Sequence, residues 1–217
     1  MTAEELILAV RASLRGMPGA AKLRTVQDAQ CVAAQAAKRA GTKLTLNLAD
    51  IPRGDVRQVV FETVREIDRV AAEAARRMQV YRAQQYGEEN LGVAETPFNA
   101  NRARNLATYA DGLLEHEATE GGGLMDTLEN NARMVVDDAE QELADSRYGM
   151  GKRPVIVRTA MGANSCAWCL SAAGEYEYGP DMDKTMAFGR HSNCDCLIEY
   201  HPGAGRVETV RNYRRKK

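Results

Sequence analysis

Four of the five cysteines in this 217-residue chain fall within residues 166–196. Cys166-Ala-Trp-Cys169 is a C-x2-C, and after 21 further residues comes His191-Ser-Asn-Cys194-Asp-Cys196. C-x2-C places two thiolates on one tight knuckle, and a second Cys/His group from a distant hairpin closes a tetrahedral site. Thiolate and imidazole ligands suit zinc. Four protein ligands leave no coordination position for water, so the site is expected to be structural. Five candidates, Cys166, Cys169, His191, Cys194 and Cys196, compete for four places. C-x-C within a strand sends its side chains to opposite faces, which favours Cys166, Cys169 and His191 with one of the last two cysteines. The alternatives are one or two disulfides formed outside the cell, or buried thiols. A redox pair would need a βαβ frame that the surrounding pattern lacks. Cys31, in an Ala-rich helical stretch, reads as a small buried hydrophobe.

Other chemistry is sparse. His116-Glu117 has no second histidine at the zincin spacing, and His201 is placed in a turn before Pro202. Asp181 and Asp183 read as a solvated turn. Neither G-x-S-x-G, Walker A nor G-x-G-x-x-G occurs, so no catalytic constellation is predicted and the chain is not expected to be an enzyme. The ending carries Arg211, Arg214, Arg215, Lys216 and Lys217, five basic residues in seven. It reads either as a solvated terminus or as an electrostatic contact to DNA phosphates or an acidic protein surface.

The elements that position these residues differ on the two sides of residue 150. Residues 3–15 and 22–40 are helical in pattern, with Gly41 as the C-cap of the second run. Residues 43–48 alternate with period two and predict a short strand or extended arm. Asp55 is the predicted N-cap of a helix over 55–85. In it Val60, Val64, Ile67, Ala71, Ala74, Met78 and Tyr81 form a heptad seam, with Arg65, Asp68, Arg69, Glu73, Arg76 and Arg77 as a solvated face. The seam is read as packed within the chain's own bundle, with self-association through 60–81 as the alternative. Thr96-Pro97 predicts another helix start, carrying Leu106, Tyr109 and Leu113 on one side. Gly121-Gly122-Gly123 predicts a hinge. Leu124, Leu128, Ala132, Val135, Ala139 and Leu143 form the face of a further helix ending near Gly149. Beyond it, 154–158, 175–178, 197–200 and 206–210 read as short strands. The expected fold is α+β: a helical docking region over 1–150 and a small β-rich Cys/His module over 151–217. So small a module needs a staple.

Composition narrows the function classes. At 44% hydrophobic and 27% charged residues the chain suits a packed core, and its formal charge of −1 gives no general attraction to nucleic acid. The charge is uneven: residues 148–217 hold 11 Lys/Arg against 7 Asp/Glu. No segment has the ~20 apolar residues of a membrane helix, and residues 1–10 lack a basic n-region, so no membrane partner and no secretory signal are expected.

The string from Arg158 to Gly174 through Cys166 and Cys169, followed by Arg190-His191-Ser-Asn-Cys194-Asp-Cys196, resembles MuF-like minor capsid (head morphogenesis) proteins of tailed bacteriophages. The likeness covers about residues 154–217, and Ser192 stands where the pattern often has proline. The resemblance implies a virion component made in the bacterial cytoplasm and built into the head near the portal vertex. It would act in head assembly, genome packaging or ejection, with portal or major capsid protein as partner and packaged DNA as a second contact. The competing readings are a zinc-module nucleic-acid-binding protein, and a small metal-dependent nuclease with His191 or His201 as base.

Overall fold

In the computed structural model, α1 (Ala3–Ser13) and α2 (Val26–Asn47) each begin in a capping box, Thr2 with Glu5 and Thr25 with Asp28. The structure describes residues 1–19, 22–93, 95–115, 122–162, 165–191 and 194–203. After α3 (Arg53–Tyr86), α4 (Ala100–Glu115) and α5 (Gly122–Gly149), the chain changes to β1 (Val155–Thr159), α6 (Ala167–Ala172), β2 (Gly174–Glu177), α7 (Lys184–Phe188) and β3 (Leu197–His201). The fold is α+β, a helical bundle carrying a small antiparallel sheet of order β2-β1-β3. The proposed strand at 206–210, the pair His116-Glu117, Gly121 and the basic residues 211–217 lie outside the described residues.

Residues 43–48 are not a strand. Ala40, Leu44 and Leu48 are buried at i, i+4 spacing while Leu46 is 73% exposed, so the helical period governs and α2 runs on to Asn47. Gly41 does not cap the helix. It lies inside α2 where a Cβ would run into the Met125 thioether, which lets α2 and α5 approach closely. The first turn of α3 starts at Arg53, with Asp55 inside it rather than capping it. Gly87, at φ 66°, takes the left-handed conformation that ends α3, and the Glu88 N–H returns to the Ala83 carbonyl at 2.7 Å. The α4 helix starts after Asn99, whose Oδ1 accepts from Arg102 N at 3.0 Å, and not at Thr96-Pro97. Its buried face is Ala103, Leu106, Ala107 and Ala110, leaving Tyr109 exposed. Gly122 and Gly123 belong to the first turn of α5.

The seam of α3 is buried from Val60 to Met78, with Tyr81 half-buried, against α2, α4 and α5 of the same chain. A coiled coil between copies through 60–81 would have to open this bundle. The flank of the seam is less polar in its surroundings than its sequence implies. Arg65, Arg69, Arg76 and Arg77 are exposed, but Asp68 is 4% exposed. Its Oδ1 accepts from Asn131 Nδ2 at 2.8 Å and its Oδ2 has no hydrogen-bond partner.

Burial raises the Asp68 carboxyl to about 7, against the pull of Arg102 and Asn131 and with Asp138 adding to the rise. The folded chain therefore binds a proton here that the unfolded chain has released between about pH 4 and 7. Stability falls as pH rises through that interval, by about 1.4 kcal/mol per unit. His201, which burial and Arg82 hold down to about 4, gives the opposite slope between there and 6.5. The informative quantity is thus the variant-minus-native difference. Asp68→Asn is expected to match the native chain near pH 4 and to exceed it by roughly 2 kcal/mol or more at pH 8 in urea unfolding. A difference independent of pH would show that Asp68 is ionised throughout.

Candidate metal centre

Local structure builds the first half of the cluster. Cys166 is the N-cap of α6, and its Sγ accepts from the Cys169 N–H at 3.3 Å. One turn of helix therefore holds both sulfurs of the C-x2-C. His191 approaches from the chain after α7, its Nε2 lying 3.1 Å from Cys166 Sγ and 2.9 Å from Cys169 Sγ. Trp168 meets the His191 ring edge-on at 5.6 Å between centroids. The second half comes from 194–196, where Cys194 Sγ lies 3.7 Å from Cys169 Sγ.

The five ligand atoms fall into two overlapping groups, Cys166–Cys169–His191 and Cys169–Cys194–Cys196, each with its atoms within 4.8 Å of one another. Either group could hold a metal ion, and Cys169 belongs to both. The strand-based expectation for C-x-C is overturned. Residues 194–196 precede β3, so the pleat does not apply, and both sulfurs face Cys169. A tetrahedral ion with Sγ bonds of about 2.3 Å separates two sulfurs by about 3.8 Å, which the Cys169–Cys194 spacing matches. None of the five cysteines forms a disulfide in the structure, and Cys31 is exposed rather than buried.

Two arginines that sequence reasoning left without a role frame the ligand loop. Arg190 has a fully buried side chain that pairs with Asp137 of α5 through Nε and, at 3.0 Å, through Nη2. The same guanidinium donates to the Cys194 carbonyl at 3.0 Å and the Cys196 carbonyl at 2.7 Å. Asp137 also accepts from Gln30 of α2 at 3.1 Å. Arg158, on central strand β1, donates to the Met186 and Gly189 carbonyls at 3.0 and 2.7 Å and stacks over Trp168. Its place at the end of the apolar run Pro154-Val-Ile-Val was the one available signal.

The thiols differ in character. The backbone N–H of Cys169 is the main influence lowering Cys166, and burial raises Cys169. Cys194 is drawn down to about 4, chiefly by the Cys196 thiol donating to it, with Arg190 adding to the effect; Cys196 is raised correspondingly.

A further buried polar network fastens the sheet to the helices. Arg82 of α3 pairs with Glu140 of α5 at 2.6 Å, and both bind Tyr200 of β3, at its carbonyl and N–H respectively. His201 is the last residue of β3 rather than a turn residue. Its Nδ1 lies 3.4 Å from Tyr86 Oη, outside the sulfur cluster. Asp183 caps α7 through Met186 N. No helix of the described chain is long and apolar enough to cross a membrane. No family model, curated protein or solved structure matches this chain.

Proposed function

We propose that the chain is a MuF-like minor capsid protein of a tailed phage, a non-enzymatic component of the head near the portal vertex that serves assembly, packaging or ejection. The observation that carries this reading is the meeting in space of the two halves of the resembling motif, Cys166/Cys169 and His191/Cys194/Cys196. On this reading the bound ion is one structural zinc, which ties α6 to the segment before β3. The donor set of thiolates and imidazole suits that metal. The helical bundle docks on portal or major capsid protein, and residues 211–217 supply charge for packaged DNA.

The deciding measurement is made on gradient-purified virions of the phage encoding the chain, by mass spectrometry and then by a density map. The chain is expected in the particles at low copy near the portal. Its absence from particles whose lysate contains it would overturn the reading. Deleting residues 211–217 removes five positive charges. Any DNA binding should then weaken evenly across sequences and lose part of its salt dependence, while incorporation into heads persists. Metal-dependent DNA cleavage abolished by His191→Ala or His201→Ala at unchanged stability would favour the nuclease instead.

A further inference from the structure

Arg158 is a buried cation without a carboxylate. It is 1% exposed, and among the described residues no Asp or Glu pairs with it. The other deeply buried arginine side chains each have one: Arg82 has Glu140, Arg147 has Glu88, and Arg190 has Asp137. A guanidinium does not escape burial by losing its proton. Two carbonyl oxygens and the Trp168 ring, 4.6 Å below its Cζ, solvate the ion but do not balance its charge. The nearest source of negative charge is sulfur: Arg158 Nη2 donates to Cys194 Sγ at 3.7 Å.

Resting on the reading of the cluster as a metal centre, we propose that Arg158 is its counter-ion: the centre is an anion of three thiolates and one imidazole around a divalent ion, with Cys194 as the fourth ligand and Cys196 outside the set. The charge count selects this composition. Two thiolates with neutral imidazole leave the ion neutral and Arg158 unbalanced; four thiolates leave an excess negative charge. Three give −1, which Arg158 cancels, because the charge of Arg190 is already matched by Asp137. Cys194 Sγ stands 3.7 Å from both Cys169 Sγ and the Arg158 guanidinium. Cys196 also bonds Cys169 and Arg158, so the two cysteine variants below decide between them, and either one must close on Cys166 and His191 to complete the set. Arg158 is thus a positioning residue, acting through a ligand rather than touching the ion.

The test uses the full chain, with zinc stoichiometry by elemental analysis, affinity by chelator competition, and Co(II) substitution to read thiolate-to-metal charge transfer. Cys196→Ser is expected to keep one ion and an unchanged charge-transfer band, whereas Cys194→Ser loses the band's full intensity and the tight site. Arg158→Gln should weaken affinity ~10- to 100-fold, the usual range for an outer-shell partner, and Arg158→Lys should recover most of it. Rescue by Arg158→Lys, which keeps the charge but loses the guanidinium's fixed contacts to the Met186 and Gly189 carbonyls, separates a charge role from a merely structural one. Arg158→Gln binding as tightly as native protein, or Cys196→Ser losing the ion while Cys194→Ser keeps it, overturns this inference alone. Native protein that binds no ion overturns the metal reading and this inference with it. Should Arg158→Gln not fold, the two cysteine variants and Arg158→Lys still decide.

Discussion

Cys169→Ser is expected to abolish stoichiometric metal binding and to unfold residues 155–203 while most helical signal survives. Cys169 is common to both ligand groups, so its loss leaves neither with three members. Besides the Arg82–Glu140 and Arg190–Asp137 links to the helices, the sheet has a small apolar core. Its apolar cluster contains Ile156, Tyr178, Ala187, Ile198 and Tyr200, completed by Leu143 and Ala144 from α5. Structural zinc contributes an apparent ~10–16 kcal/mol in small modules, which is large against the net ~5–15 kcal/mol of a typical domain. The bundle is better provided, since its core draws on α1 to α5 and takes only Leu197 from the sheet. The single tryptophan, Trp168, lies against His191 and Arg158, so its fluorescence reports the module alone. Native-like fluorescence and an unchanged melting temperature would refute the expectation. Cys31→Ser, on exposed α2 surface, is the silent control.

Ile67→Asp should be comparably severe, and for the opposite half of the molecule. Ile67 is fully buried in α3, the helix that packs on α1, α2, α4 and α5. The change forfeits burial worth about 2–5 kcal/mol and adds an unpaired acid to an apolar layer. Against a typical total of ~5–15 kcal/mol this leaves a bundle that is marginal or unfolded at 37 °C. Arg65→Asp, two residues away, is 60% exposed at its side chain and has only a 3.7 Å contact to Glu62; it should cost under about 1 kcal/mol. Circular dichroism with urea titration measures both. A loss below ~0.5 kcal/mol for Ile67→Asp would mean that the seam is solvated in solution and available to a partner.

What the sequence disclosed and concealed follows from the range of the forces involved. The α3 seam and the α5 face were legible because a dozen buried positions repeat one period, and no local preference opposes them. The C-x2-C and the His-x2-Cys-x-Cys were legible because ligand chemistry restricts the residue types. Residues 43–48 misled because Leu44, Leu46 and Leu48 alternate by chance while only two of them are buried. Asp68 read as surface because the periodicity of one helix says nothing about Asn131 and Arg102 arriving from other helices. Arg158, Arg190, Asp137 and Glu140 are charged residues made indispensable by partners 28 to 60 positions distant, a separation that no local pattern encodes. Cys194 and Cys196 turned the same way because the chain there is irregular.

The unbroken length of α3 has a mechanical consequence. Thirty-four residues make a strut about 51 Å long. At one tip Arg57 is tied to Asp111 of α4 at 2.6 Å; at the other, Arg82 and Tyr86 grip Tyr200 and His201 of the sheet. A load on the sheet enters the strut at its end, where leverage is greatest. Because a helix of this length bends little, a tilt of about 3° carries the far tip through roughly 3 Å. Anything that pulls on the β3 edge and anything that holds the Arg57 end are therefore coupled in series through one stiff member. Because the seam from Val60 to Met78 is packed along that length, the helices beside α3 must shift with it.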